Sequence, residues 1–278
     1  FIDMFEVALA EQKMDEVVKR LEKMVEEQAS IVDELKQDEN LDMTVMASRE
    51  RRQEESFKVL EQTMDEAAAA MEKLSQDASQ KLSALAESEL TEATSADLNE
   101  ARNEMQSQNQ SSASQAAGEA SSGLEEMLDI AQAIQSDFQE DTVDEMLRKF
   151  LGLIRNLLFI SQSQEELVVE TQGLRSRSPR LLDTAVQQDR ILRENQQFMV
   201  QLTELSRQTF HISPEIASAI GKTKIAMDRA IAKLEQKQTS SAKTQMSKAL
   251  QGLNQTAYLL LESADQMQMS GSGSGFAQ

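Results

Sequence analysis

The sequence predicts an all-α protein, and three observations carry that prediction. Only two prolines and nine glycines punctuate 278 residues, too few for a chain of frequent turns. Ala, Glu, Gln, Leu, Met and Ser dominate, and all but Ser are residues that lose little on entering a helix. Apolar residues recur at three-and-four spacing through most of the chain, the period of a helix with one face buried.

The elements follow in order. Residues 1–117 contain neither Gly nor Pro. Met4, Val7, Met14, Val18, Leu21, Val25, Val32 and Leu35 form a heptad seam to about Lys36, interrupted by Glu11 and Gln28. The cluster QDENLD ends it. A second seam, Phe57, Leu60, Met64, Ala67, Met71, Leu74, Ala78, Leu82 and Leu85, predicts a helix reaching about Leu90. Residues 1–90 therefore read as long, acidic coiled-coil arms paired in a hairpin. From Thr91 to Gly123 apolar residues thin out, and QSQNQSSASQAAGEASSG fits a surface helix, a hinge or a disordered stretch. Ser122-Gly-Leu-Glu125 and Thr142-Val-Asp-Glu145 have capping-box spacing, which predicts helix starts at both places.

From 142 to 268 the pattern predicts an up-down bundle of four helices. Ser178-Pro179 and Ser213-Pro214 each place a hydroxyl at N-cap and a proline at N1. The expected connections lie near Gly173–Ser178, His211–Ser213 and Lys237–Ser240, short enough to force neighbours antiparallel. Clear seams run through Ile216, Ile220, Thr223, Met227, Ala230 and Leu234, and through Met246, Leu250, Leu253, Ala257, Leu260, Ala264 and Met267. The layout is an acidic hairpin at 1–90, polar connecting helices at 91–141, a four-helix bundle at 142–268 and a Gly/Ser linker at 269–278.

The most apolar window, Phe150–Ile160, is about half the length needed to cross hydrocarbon and is interrupted by Arg155. Its stripe of Val143, Leu147, Phe150, Ile154 and Leu157 predicts packing against other helices. Charge is unevenly placed: residues 1–150 hold 36 acids and 14 bases, residues 151–278 hold 12 and 14. A net charge of -20 without a basic, aromatic stripe argues against nucleic acid as partner. The chain starts at Phe1 without a signal peptide, so it reads as an interior piece of something larger.

Chemistry has few carriers. With no Cys and the single His211, no transition-metal site is expected. A catalytic triad is equally unexpected, because His211 stands in a helix–helix turn without a nucleophile elbow. Gly271-Ser-Gly-Ser-Gly275 lacks the strand before and the Lys-Ser/Thr pair after it that a phosphate loop requires. The acids Asp137, Glu140, Asp141, Asp144 and Glu145 lack a calcium-loop pattern and read as a solvated helix junction. Met14, Met24, Met64 and Met71 lie on or beside the seams and read as core. The one candidate partner-binding cluster is Arg175, Arg177 and Arg180, which reads either as a solvated charged loop or as a tip that docks an acidic partner, the arm of a neighbouring copy or phospholipid head groups. No cofactor is expected.

The order LLFISQSQEELV, SPRLLDTAVQQDRIL, ISPEIASAIGKTKIAMDRAIAKLEQKQTSSA, ALQGLNQTAYLLLESADQMQ and GSGSGFAQ resembles the C-terminal part of an uncharacterised family of large bacterial envelope proteins, known as a domain of unknown function. Its members carry N-terminal membrane helices and long Gln-rich coiled coils. The resemblance covers Leu147–Gln278, and the acidic arms only in style. It implies a membrane-anchored protein exposed to the periplasm, and it supplies no activity. The expected role is a non-enzymatic structural or scaffolding segment acting through protein–protein contact or homo-oligomerisation; the alternative is a helical module that transmits an envelope signal.

Overall fold

The computed structural model describes residues 2–37, 41–176, 178–209 and 211–272. Among them every regular element is a helix: α1 Ile2–Gln37, α2 Met43–Met71, α3 Gln76–Ala86, α4 Glu89–Gln106, α5 Gln110–Gln172, α6 Arg180–Gln208, α7 Pro214–Glu235 and α8 Thr239–Ser272. The protein is all-α. Contacts divide it inside α5 into two compact units, Phe5–Thr142 and the helices from Val143 onward.

In the first unit the stripes of α1 and α2 are covered by α3, α4 and the start of α5. Met14, Leu21, Phe57, Leu60, Leu82, Leu98, Leu124 and Phe138 share one apolar cluster. Ile31, Leu35, Met46, Met105, Ala113 and Ala117 share a second. This corrects the division near residue 90. Two paired helices leave part of each stripe wet, and here the same chain supplies the cover, so 1–90 and 91–141 fold as one unit. The Ser/Gln-rich stretch joins it because its apolar face is built from alanine: Ala113, Ala116, Ala117 and Ala120 are all buried.

The second expected helix is also broken. α2 stops at Met71; Ser75 caps α3 by accepting from the Ala78 N–H at 3.2 Å, and Ser88 caps α4 by accepting from the Thr91 N–H at 3.2 Å. Conversely, the spacings at Ser122 and Thr142 start no helix. Their hydroxyls donate backwards, to the Gly118 carbonyl at 3.1 Å and the Phe138 carbonyl at 2.8 Å, and α5 continues through both.

The second unit packs the rest of α5 with α6, α7 and α8 around one core that includes Phe150, Leu157, Phe198, Ile216, Met227, Leu253 and Leu260. Neighbours run antiparallel: Lys149 Nζ donates to Gln208 Oε1 at 3.0 Å near one end of the α5–α6 pair, while Lys243 Nζ donates to the Gln172 carbonyl at 2.7 Å where α5 meets α8. Phe150, Leu153, Leu157 and Ile160 are buried, and Leu158 and Phe159 are exposed. No described helix is long and apolar enough to cross a membrane. α7 begins at Pro214 behind an extended Ser213. α6 starts at Arg180, one residue later than its proline suggested, with the Ser178 hydroxyl accepting from the Arg180 N–H at 3.3 Å. α8 continues to Ser272, past the expected linker boundary at 269; residues 273–278 lie outside the described chain.

The two units are built on one plan. Buried positions of α1 recur 136 residues later, Met14, Leu21, Gln28 and Ile31 matching Phe150, Leu157, Gln164 and Leu167. Those of α2 recur in α6 after 138, Ala47, Glu50, Leu60 and Met64 matching Ala185, Gln188, Phe198 and Leu202. Those of α4 and early α5 recur in α7 and α8 after 129: Leu98, Met105, Leu124 and Phe138 match Met227, Leu234, Leu253 and Met267. The offset falls from 138 to 129 because the first unit has nine extra residues where α3 is inserted. Special positions repeat as well. Gln108 (φ 59) and Lys237 (φ 56), 129 apart, end α4 and α7 in the left-handed region. In each, the next residue's N–H bonds five residues back, Asn109 to Glu104 at 2.9 Å and Gln238 to Lys233 at 2.8 Å.

Candidate functional site

The repeat makes two places comparable between units, a buried polar pair and a surface groove. At the polar pair, a glutamine on the first helix meets a polar residue on the second. Gln164 and Gln188, both fully buried, exchange amide hydrogen bonds at 3.0 and 2.7 Å. At the equivalent place Gln28 Nε2 donates to Glu50 Oε1 at 3.0 Å, while Gln28 Oε1 and Glu50 Oε2 have no partner. Burial, opposed by the Gln28 hydrogen bond, pushes the Glu50 carboxyl up to about 7. The charged neighbours are engaged elsewhere, Arg49 with Glu34 at 2.7 Å and Glu54 with Arg102 at 2.9 Å. A neutral carboxylic acid has the hydrogen-bonding shape of an amide, and in that state Glu50 matches Gln188.

The groove lies between the third and fourth helices. Thr223 on α7 donates its hydroxyl to the Ala219 carbonyl at 2.9 Å, and a Cβ on Gly252 of α8 would overlap that hydroxyl, so the helices can meet this closely only at glycine. Thr94 and Gly123 repeat the arrangement in the first unit, the Thr94 hydroxyl donating to the Leu90 carbonyl at 2.8 Å. In the second unit the crossing leaves a groove of about 740 Å³ over Ala219, Thr223, Ala226 and Gly252, rimmed by Lys222, Arg229 and Lys248 with Ile225 between. None of these three cations has an ion-pair partner among the described residues.

The same positions in the first unit are Ala93, Glu100 and Glu119, and Gln255 corresponds to Glu126. Asp97, half-buried beside them, has its carboxyl raised by burial first and then by the charges of Glu119 and Glu100. One surface is thus displayed twice with opposite sign. The units carry the contrast as a whole: residues 1–142 hold 34 acids and 12 bases, and residues 143–278 hold 14 and 16.

Comparison with family models, with curated proteins and with solved structures gives no match.

Of the cluster predicted from sequence, Arg175 and Arg180 are exposed on the connection between α5 and α6, and Arg177 lies outside the described residues. Thr239 Oγ1 reaches Ser176 Oγ at 3.4 Å, which sets that connection beside the start of α8, at the end of the unit where α7 turns into α8. His211 is half-buried on the α6–α7 connection, its backbone N–H bonded to Thr209 Oγ1 at 3.2 Å. Three of the acids around residue 140 have structural partners: Asp137 accepts from Lys81 at 2.7 Å, Asp141 from Ser75 at 2.6 Å, and Glu145 pairs with Lys149 at 2.8 Å. No group of three metal-ligating side chains occurs among the described residues. Met14, Met24, Met64 and Met71 are buried. The groove residues escaped sequence reading because each alone is an ordinary exposed charge. Only the 129-residue register, with Thr–Gly recurring at equal spacing, sets Lys248 against Glu119.

Proposed function

We propose that this chain is a non-catalytic structural or scaffolding segment of a larger, membrane-anchored protein of the bacterial envelope, acting through protein–protein contact or self-assembly. One observation carries the reading: a helical unit built twice presents equivalent helix crossings whose exposed faces differ in charge, basic at α7–α8 and acidic at α4–α5, a device for holding partners and not for transforming them. The interiors of both units are filled mainly by apolar side chains, which leaves the surface to do the work. The envelope location and periplasmic exposure rest on the resemblance of Leu147–Gln278. Fractionation of the full-length protein in a Gram-negative host, with protease added from the periplasmic side, tests that part. Recovery in membranes with this segment digested is the expected result, and recovery in the cytosol would refute it. Crosslinking in intact cells, resolved to residue level, tests the other part; a full-length protein that crosslinks to nothing would contradict a scaffold.

A signal-transmitting module is the second reading. It is favoured by Glu50, because an ionising group stands in one unit where the other has Gln188. Hydrogen-exchange protection, after correction for the intrinsic pH dependence of amide exchange, that rises in α1 and α2 alone as pH falls from about 8 to about 6 would support it, and protection that does not change with pH would remove its basis.

A further inference from the structure

We propose that copies of this chain associate with one another, the basic α7–α8 groove of one copy receiving the acidic α4–α5 face of another. This rests on the scaffold reading above and names its partner. Three lines converge on it.

Charge is the first. Lys222, Arg229 and Lys248 stand on the groove rim without acidic partners, and Glu100, Glu119 and Glu126 stand on the equivalent face without basic ones, among the described residues. Glu215 also lines the groove and Lys36 lies near Glu119, so each surface carries an excess of one sign, basic on the groove and acidic on the face. Docking sets each beside the opposite sign.

Shape is the second. The helix frames match, since both crossings are set by a threonine hydroxyl against a glycine. The rims do not match. Where the groove carries Lys222 and Ile225, the acidic face carries Ala93 and Ala96, so it is low where the groove is high. Ile225, 49% exposed, is the apolar contact such a fit would cover.

Choice of occupant is the third. The first unit, at -21 from the 33 acids and 12 bases of Phe5–Thr142, repels another first unit. The groove offers that acidic face a cationic surface, and every copy owns one of each. The contact is heterologous.

A charge-swap experiment on the whole chain tests this by sedimentation equilibrium at about 20 mM and about 500 mM salt, chosen to lengthen or collapse the screening distance. One variant reverses the groove (Arg229→Glu with Lys248→Glu) and one reverses the face (Glu100→Lys with Glu119→Lys). All four positions are exposed, and circular dichroism verifies helicity. Wild type is expected to exceed 31.0 kDa with rising concentration at low salt and to return towards it at high salt. Either variant alone is expected to weaken association more than tenfold, about 1.4 kcal/mol or more, because like now faces like. Mixing the two variants restores a matched pair and is expected to restore association. A wild type that is monomeric throughout, or a mixture no tighter than its components, overturns the proposal. Association that ignores both reversals overturns it too, yet leaves the scaffold reading standing with a different surface. Loss of binding to anionic phosphatidylglycerol vesicles in the groove variant, with self-association intact, would assign the groove to lipid and equally overturn the proposal.

Discussion

Glu50 shows how one residue can set two otherwise equivalent cores apart. Gln164–Gln188 satisfies itself with two hydrogen bonds, whereas Gln28–Glu50 leaves an oxygen of each side chain buried without a partner. Such orphans destabilise. Protonation removes the charge and restores the amide-like pairing. The sign follows: the folded-state value, about 7, is above the ordinary 4.5, so folded protein binds the extra proton and stability falls as pH rises between those two values. The loss is on the order of 3 kcal/mol by linkage. Glu50→Gln is therefore expected to be near neutral in stability at about pH 4.5 and to be stabilising by a few kcal/mol at pH 8, checked by urea unfolding at both pH values. Gln188→Glu should do the reverse, adding a pH dependence to the second unit. Half of this was legible: Gln28 interrupts the first seam visibly, but the second seam begins at Phe57, and nothing before it marks Glu50 as inward-facing.

At the scale of the helices, ends and crossings decide the architecture. The left-handed residue closing α7 is Lys237, where glycine carries no Cβ penalty. Lys237→Gly is expected to raise stability by about 1 kcal/mol, seen as a higher urea midpoint with unchanged slope. Gly252→Ala tests the crossing. In an exposed helix that change gains up to about 1 kcal/mol, but here the new methyl meets a Thr223 hydroxyl fixed by its own hydrogen bond. A net loss of about 1–3 kcal/mol is expected, with Thr223→Ser failing to rescue it and Thr223→Ala rescuing part. Helix ends were legible where a proline marked them, as at Pro214. They were not where a serine has two options. Ser75 and Ser88 cap new helices, whereas Ser122 and Thr142 bond the turn behind them. The local sequence permits both choices, and the surrounding packing selects.

Over the whole molecule, the all-α class and the uneven charge were readable from composition and spacing, while the duplication was not. Across 91–138 and 220–267 only eight of 48 aligned residues are identical, because what repeats is burial and not identity: Met105 and Leu234 do the same work, as do Phe138 and Met267. The register also changes, from 136 to 138 to 129, which blurs any single-period search. The acidic stretch looked like arms in need of an outside partner because its covering face is made of alanines, which a seam count overlooks. With that cover in place, association draws on opposed charge at equivalent helix crossings and not on wet apolar stripes. The chain has no cysteine, so introduced thiols report contact without background. Gln251 lines the groove and Ser122 is its equivalent on the acidic face, both exposed. When Gln251→Cys and Ser122→Cys proteins are mixed under mild oxidation at low salt, disulfide-linked heterodimers should form well in excess of either homodimer, and the excess should be absent when the oxidation is carried out at high salt. Homodimers and heterodimers in statistical proportion, insensitive to salt, would contradict the account.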